Sequence, residues 1–209
     1  MRKLKSYSPK NAWNTYLNSA CRKDGWLRLN NKLSEDFEIS NRELLSLIVL
    51  SKLANHISNT NDWMAGYDSQ QREPNDGIIT NSSVIIKIES KFIPEIYSED
   101  ALKDIVKEYN ENNNKGSNYG NGYNLVIFCN KQELIELTPL KEAISNSVCH
   151  FSSVLFMYPV VVDNEKFKFT IHTHEFYPLK GFASVEVNVN PGDMTVNYSD
   201  LETLPKLLY

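Results

Sequence analysis

The chain has 209 residues, with apolar and charged fractions of 41% and 23%, which suits one domain with a sizeable core. No run approaches the ~20 apolar residues that span a bilayer, and the N-terminus has no apolar signal core, so the expected location is the cytosol without membrane contact. Cys21, Cys129 and Cys149 lack metal-site spacing and read as free thiols in a reducing compartment.

The net charge of -4 is unevenly spread. Residues 1–28 hold seven basic residues against one acidic, a surplus of +6, while the remainder holds 15 basic and 25 acidic, or -10. A basic N-terminal arm over residues 1–39 could meet phosphates through Arg2, Lys3, Lys5 and Lys10, and a solvated face explains the same charges. Tyr7, Trp13, Tyr16 and Trp26 interleave with those cations. They suit either stacking on bases or docking on the core.

Ser8 as a cap and Pro9 at the first helical position predict a helix over residues 8–20. Ser40-Asn41-Arg42-Glu43 has capping-box spacing and opens a strongly apolar helix to about Ile57. Strand-like segments follow at Trp63–Asp68, Asp76–Thr80 and Val84–Phe92. The polar break Asn81-Ser82-Ser83 closes the last two into a hairpin. Ser98-Glu99-Asp100 starts a helix with Ala101, Leu102, Ile105, Val106 and Tyr109 at helical spacing, and an Asn- and Gly-rich loop follows over residues 110–124. Tyr123–Cys129 reads as a strand buried on both faces, and Leu137–Val148 as a helix. Val154–Val162, Phe167–His174 and Ala183–Val189 are strand candidates, and residues 201–208 a short terminal helix. The order predicts an α/β fold: a mixed central sheet flanked by helices, with a core over residues 40–130 and β-rich C-terminal additions over residues 131–209.

The chemistry concentrates on the hairpin. Alternation puts Glu89 and Lys91 on one strand face, and folding back brings Asp76 toward Glu89. Two carboxylates, the backbone carbonyl of Ser90 and waters suit Mg²⁺ or Mn²⁺. Lys91 beside them would orient an attacking water or stabilise phosphoryl charge, which is the equipment of phosphodiester hydrolysis. Lys87 shares that face, and Gln70, Gln71 and Glu73 flank the segment.

Pro74-Asn75-Asp76, a spacing of thirteen residues, and Glu89-Ser90-Lys91 on an apolar strand resemble the PD-(D/E)xK nuclease superfamily. The pattern departs in one respect, the Asn between Pro74 and Asp76. The resemblance covers roughly residues 40–130 and implies a restriction-endonuclease-like sheet with Asp76, Glu89 and Lys91 as the catalytic set and a divalent ion as cofactor. It further implies DNA rather than RNA as the nucleic-acid partner, a restriction or phage-defence setting, and dimerisation to cut two strands. An acid on the first core helix is implied as well, which would be Glu43, although its place in the capping box already accounts for it.

Other readings of the same residues stay open. Glu89 and Lys91 also suit a weak surface salt bridge with Asp76-Gly77 as turn residues. The same fold could serve as an inactive nucleic-acid-binding or protein-interaction module, a reading the acidic net charge favours. His172 and His174 share a strand face and would make a metal pair, for which no third ligand has suggestive spacing. Cys149-His150 cannot form a thiol nucleophile pair on a strand, because adjacent residues point apart.

Overall fold

Alternating and continuous apolar runs resolve into nine strands and four helices among the described residues. They run in the order β1 (Leu4–Tyr7), α1 (Pro9–Ala20), α2 (Asn41–Ser58), β2 (Met64–Asp68), β3 (Gly77–Thr80), β4 (Ile85–Ile93), α3 (Glu99–Glu111), β5 (Tyr123–Cys129), α4 (Thr138–Ser145), β6 (Ser153–Asp163), β7 (Lys168–Tyr177), β8 (Gly181–Asn188) and β9 (Met194–Tyr198). The structure is a computed structural model that describes residues 4–20, 41–68, 76–93, 98–111, 118–130, 135–163, 168–177, 181–188 and 194–198. The expected terminal helix over 201–208 and the Ser40 cap lie outside them.

All nine strands join one mixed sheet in sequence order, β1 through β9. β4, β5 and β6 pair in parallel, and every other neighbour is antiparallel. The parallel pairs follow from connectivity: α3 lies between β4 and β5, and α4 between β5 and β6. The C-terminal strands therefore extend the central sheet itself. Pro159 sits in β6 beyond Met157, where β5 pairing has ended, so its missing N–H interrupts no ladder on that side.

Two apolar clusters cover the sheet. Trp13 of α1 and Leu44, Leu47, Ile48 and Leu53 of α2 pack on one face against Ile79, Ile88, Val126 and Phe128. Leu102 and Val106 of α3 and Leu140 and Ile144 of α4 pack on the other, against Leu125, Ile127 and Phe156. β5 contributes to both clusters in alternation, as expected of a strand buried on both faces. Among the described residues no helix is long and apolar enough to cross a membrane.

The N-terminal segment is not simply an arm. Leu4–Tyr7 forms an edge strand on β2, with Lys5 opposite Tyr67 and its amine 6.0 Å from that ring. The Ser8 hydroxyl caps α1 by accepting from the Asn11 N–H at 3.3 Å. Trp13 is fully buried, so this aromatic docks on the core. Lys5 and Lys10 are exposed, while Arg2, Lys3, Tyr16 and Trp26 lie outside the side chains described.

Candidate active site

The hairpin forms as its turn chemistry dictates. The Asn81 side-chain carbonyl accepts from the N–H groups of Ser83 and Val84, at 2.9 and 2.7 Å, and the Thr80 hydroxyl donates to the Val84 carbonyl at 2.8 Å. These bonds pin the register, which pairs Gly77 with Ile88 and runs back through Thr80 and Ile85. One step beyond Gly77, the Asp76 N–H donates to the Ile88 carbonyl at 3.1 Å. The paired register ends at Gly77, and this bond holds Asp76 beside the residue that precedes Glu89. The charge of Glu89, thirteen residues away in sequence, reaches the Asp76 carboxyl.

Glu89 is buried and Asp76 half-buried. The Glu89 side chain is only 4% exposed and Lys91 is 23% exposed, with the Lys91 amine 2.6 Å from Glu89 Oε1. The Ser90 N–H between them donates to Asp76 Oδ2 at 2.6 Å. Burial raises the Asp76 carboxyl from its ordinary 3.8 to about 6. The charges of Glu89 and Glu43 push the same way, while the Ser90 N–H and the Lys91 amine pull it down. A solvated surface hairpin would impose no such burden. The Glu89–Lys91 ion pair does form, but with Glu89 buried it is not a surface salt bridge.

Glu43 enters the site from α2. It lies half-buried in the first turn of that helix, and its charge reaches Asp76. Leu47, one turn further along the same face, presses on β3 where residue 77 has no side chain. A β-carbon on Gly77 would stand 2.4 Å from Leu47 Cδ1. Gly77 thus allows the helix to close on the strand beside Asp76. The sequence places Gly77 in the strand-like segment Asp76–Thr80 or, on the surface-hairpin reading, in a turn; its role as a clearance for α2 carries no signal beyond a glycine directly before an apolar strand.

Tyr119 was also missed. Its hydroxyl donates to Glu89 Oε1, the oxygen that also receives Lys91. An aromatic set among the Asn and Gly of a long loop was the only hint. Lys87 keeps the predicted face, but its amine lies 5.0 Å from the centre of the Tyr123 ring. Gln70, Gln71 and Glu73 fall outside the described residues.

The other sequence candidates settle into structural roles. His172 and His174 both pack on Tyr158, with ring centroids 5.2 and 5.9 Å away. His174 is buried, and burial together with Lys141 and His172 pushes its imidazole down to about 3. The Cys149 thiol donates to the Phe151 carbonyl, and burial raises its pKa, which makes it a poor nucleophile.

Among the described residues no three His, Cys, Asp or Glu side chains form a ready metal cage. Mg²⁺ asks for less, one or two carboxylates with carbonyls and waters. Hard oxygen donors fit such an ion, and so does an Asp76 carboxyl whose charged form is disfavoured first by burial and then by the nearby Glu89 and Glu43 charges. Comparison with protein-family models, with curated proteins and with solved structures returns no match.

Proposed function

We propose that this chain is a divalent-metal-dependent nuclease that hydrolyses phosphodiester bonds, acting on DNA, with a restriction-endonuclease-like core. The observation that carries the reading is the convergence at the β3–β4 hairpin of half-buried Asp76, which accepts from the Ser90 N–H and feels the Glu89 charge, with buried Glu89 bonded to Lys91. Its setting supports it. The hairpin is followed by α3 and the doubly buried β5, and α2 delivers Glu43 from the opposite layer. Proteins seldom bury two repelling carboxylates without a use for them, and perturbed carboxyls gather at functional sites.

Asp76 and Glu89 would hold the ion, with the Ser90 carbonyl as a third donor and Glu43 as an accessory acid. Bound Mg²⁺ or Mn²⁺ supplies Lewis-acid activation of water and neutralises charge on the phosphoryl oxygens. The rest falls to the protein. The Ser90 N–H keeps the Asp76 carboxylate aimed. Lys91, still partly open to solvent, turns its amine from Glu89 to the attacking water or to the charge growing on phosphate.

Incubation with supercoiled plasmid, single-stranded DNA and RNA, with Mg²⁺ or Mn²⁺, tests this. Cleavage that EDTA abolishes, and that Asp76→Ala or Glu89→Ala lowers on the order of 10²-fold or more, is expected. Cleavage surviving both substitutions rejects the site. The net charge of -4 favours a second reading, an inactive binding module on the same fold. That reading gains if no nucleic acid is cut with either ion while a partner copurifies.

A further inference from the structure

We infer that Tyr119 is a positioning residue for the metal-binding carboxylate, holding Glu89 in place when Lys91 leaves it for the substrate. This inference rests on the nuclease reading of the same site. The starting observation is that two donors, the Lys91 amine and the Tyr119 hydroxyl, meet one oxygen of Glu89, Oε1, rather than taking one oxygen each. Lys91 comes from two residues away on the same strand, and Tyr119 from thirty residues away, in a turn beyond α3.

The two donors differ in what they cost the site. An ammonium cancels carboxylate charge, and its proposed task takes it elsewhere during reaction. Once it turns away, a nearly buried carboxylate without a second donor would lose both a hydrogen bond and a fixed orientation. A phenol supplies the bond while remaining neutral, so it fixes the carboxylate plane without discarding the charge a cation needs. Such outer hydrogen bonds are how proteins commonly orient metal-binding carboxylates.

Tyr119 is also built to be stationary. Its ring meets Phe151 edge-on, with centroids 5.9 Å apart and planes at 84°. Gly120, next in the chain, has φ of +88°, and a β-carbon there would lie 3.0 Å from both the His150 carbonyl oxygen and the Phe151 ring. Only glycine permits that turn so close to β6's approach. The Tyr123 N–H closes the turn on the Gly120 carbonyl at 2.9 Å, and the Ser152 N–H ties its C-terminal end at the Tyr123 carbonyl at 2.8 Å. The hydroxyl is therefore presented by an anchored turn.

The test compares wild type, Tyr119→Phe and Phe151→Leu in two assays. One is Mn²⁺ binding without nucleic acid, followed by the electron paramagnetic resonance signal of free Mn²⁺. The other is the Mg²⁺ concentration giving half-maximal plasmid cleavage. Tyr119→Phe is expected to weaken metal binding on the order of tenfold in both assays, with an unchanged unfolding midpoint. Phe151→Leu, which keeps the hydroxyl but loosens its ring, is expected to shift both in the same direction by a smaller factor. If Tyr119→Phe lowers only the unfolding midpoint and leaves both metal dependences at wild-type values, the tyrosine is structural and the inference fails, while the nuclease reading stands. If wild type binds Mn²⁺ and cuts nothing, the nuclease reading fails, and weaker binding by Tyr119→Phe still upholds the role of Tyr119. Neither binding nor cleavage by wild type overturns both.

Discussion

Leu47 occupies the space that a side chain on residue 77 would need: its Cδ1 lies 2.4 Å from where a Gly77 β-carbon would be built. This contact joins two parts of the site. It seats α2, which carries Glu43 one turn earlier, against the strand that begins directly after Asp76. The distance between the helix acid and the hairpin acids is thus set by a missing methyl group.

Gly77→Ala should therefore disturb function more than its size suggests. The added carbon must push Leu47 and α2 outward, an overpacking cost of about 1–3 kcal/mol. Chemical denaturation should show that loss, and cleavage should fall further than in a core variant of equal stability remote from the hairpin.

Asp76→Asn should stabilise the metal-free protein at neutral pH while abolishing cleavage. With the folded carboxyl raised from 3.8 to about 6, the folded state holds its proton more tightly than the unfolded state. The contribution is favourable below pH 3.8 and is lost as pH rises through about 6. At pH 7 the unreplaced carboxylate costs on the order of 3 kcal/mol, which the amide removes. Unfolding midpoints in EDTA at pH 5 and pH 7.5 check this: the gap between variant and wild type should widen at the higher pH. Mg²⁺ should raise the midpoint of wild type alone.

His174→Gln should flatten the acid side of the stability curve. The folded imidazole stays neutral down to about 3, whereas the unfolded one takes up a proton near 6.5. Stability from this group is complete above pH 6.5 and is lost progressively as pH falls toward 3. The slope is opposite to that of Asp76. Thermal unfolding from pH 4 to pH 7 of wild type and each variant separates the two contributions.

Glu43→Gln distinguishes a cap from a site acid. A glutamine still serves a capping box, so helix stability should be nearly unchanged by circular dichroism. Cleavage should nevertheless fall about tenfold, because the lost charge is the one that reaches Asp76. Equal cleavage by both proteins would confine Glu43 to its helix.

Several elements were legible because their causes are local. Alternation from Ile85 to Ile93 and the Asn81 turn predict the hairpin, and with it the shared face of Glu89 and Lys91. The Ser8-Pro9 start of α1 and the apolar run of β5 carry their own signals as well. Leu4–Tyr7 carries none: four residues become a strand only because β2, some sixty positions away, offers an edge. β9 escaped notice for the same reason, as Met194–Tyr198 is a strand by virtue of β8 beside it.

The candidate site divides along the same line. Residue order alone selected Asp76, Glu89 and Lys91 and the turn that brings them together, since backbone periodicity and turn chemistry act over a few residues. Only the packed molecule decided how deeply those charges are buried, that Glu43 reaches Asp76 over Gly77, and that Tyr119 shares an oxygen with Lys91. Those relationships depend on which distant surfaces meet, and contact across layers leaves no periodic trace in the chain that makes it.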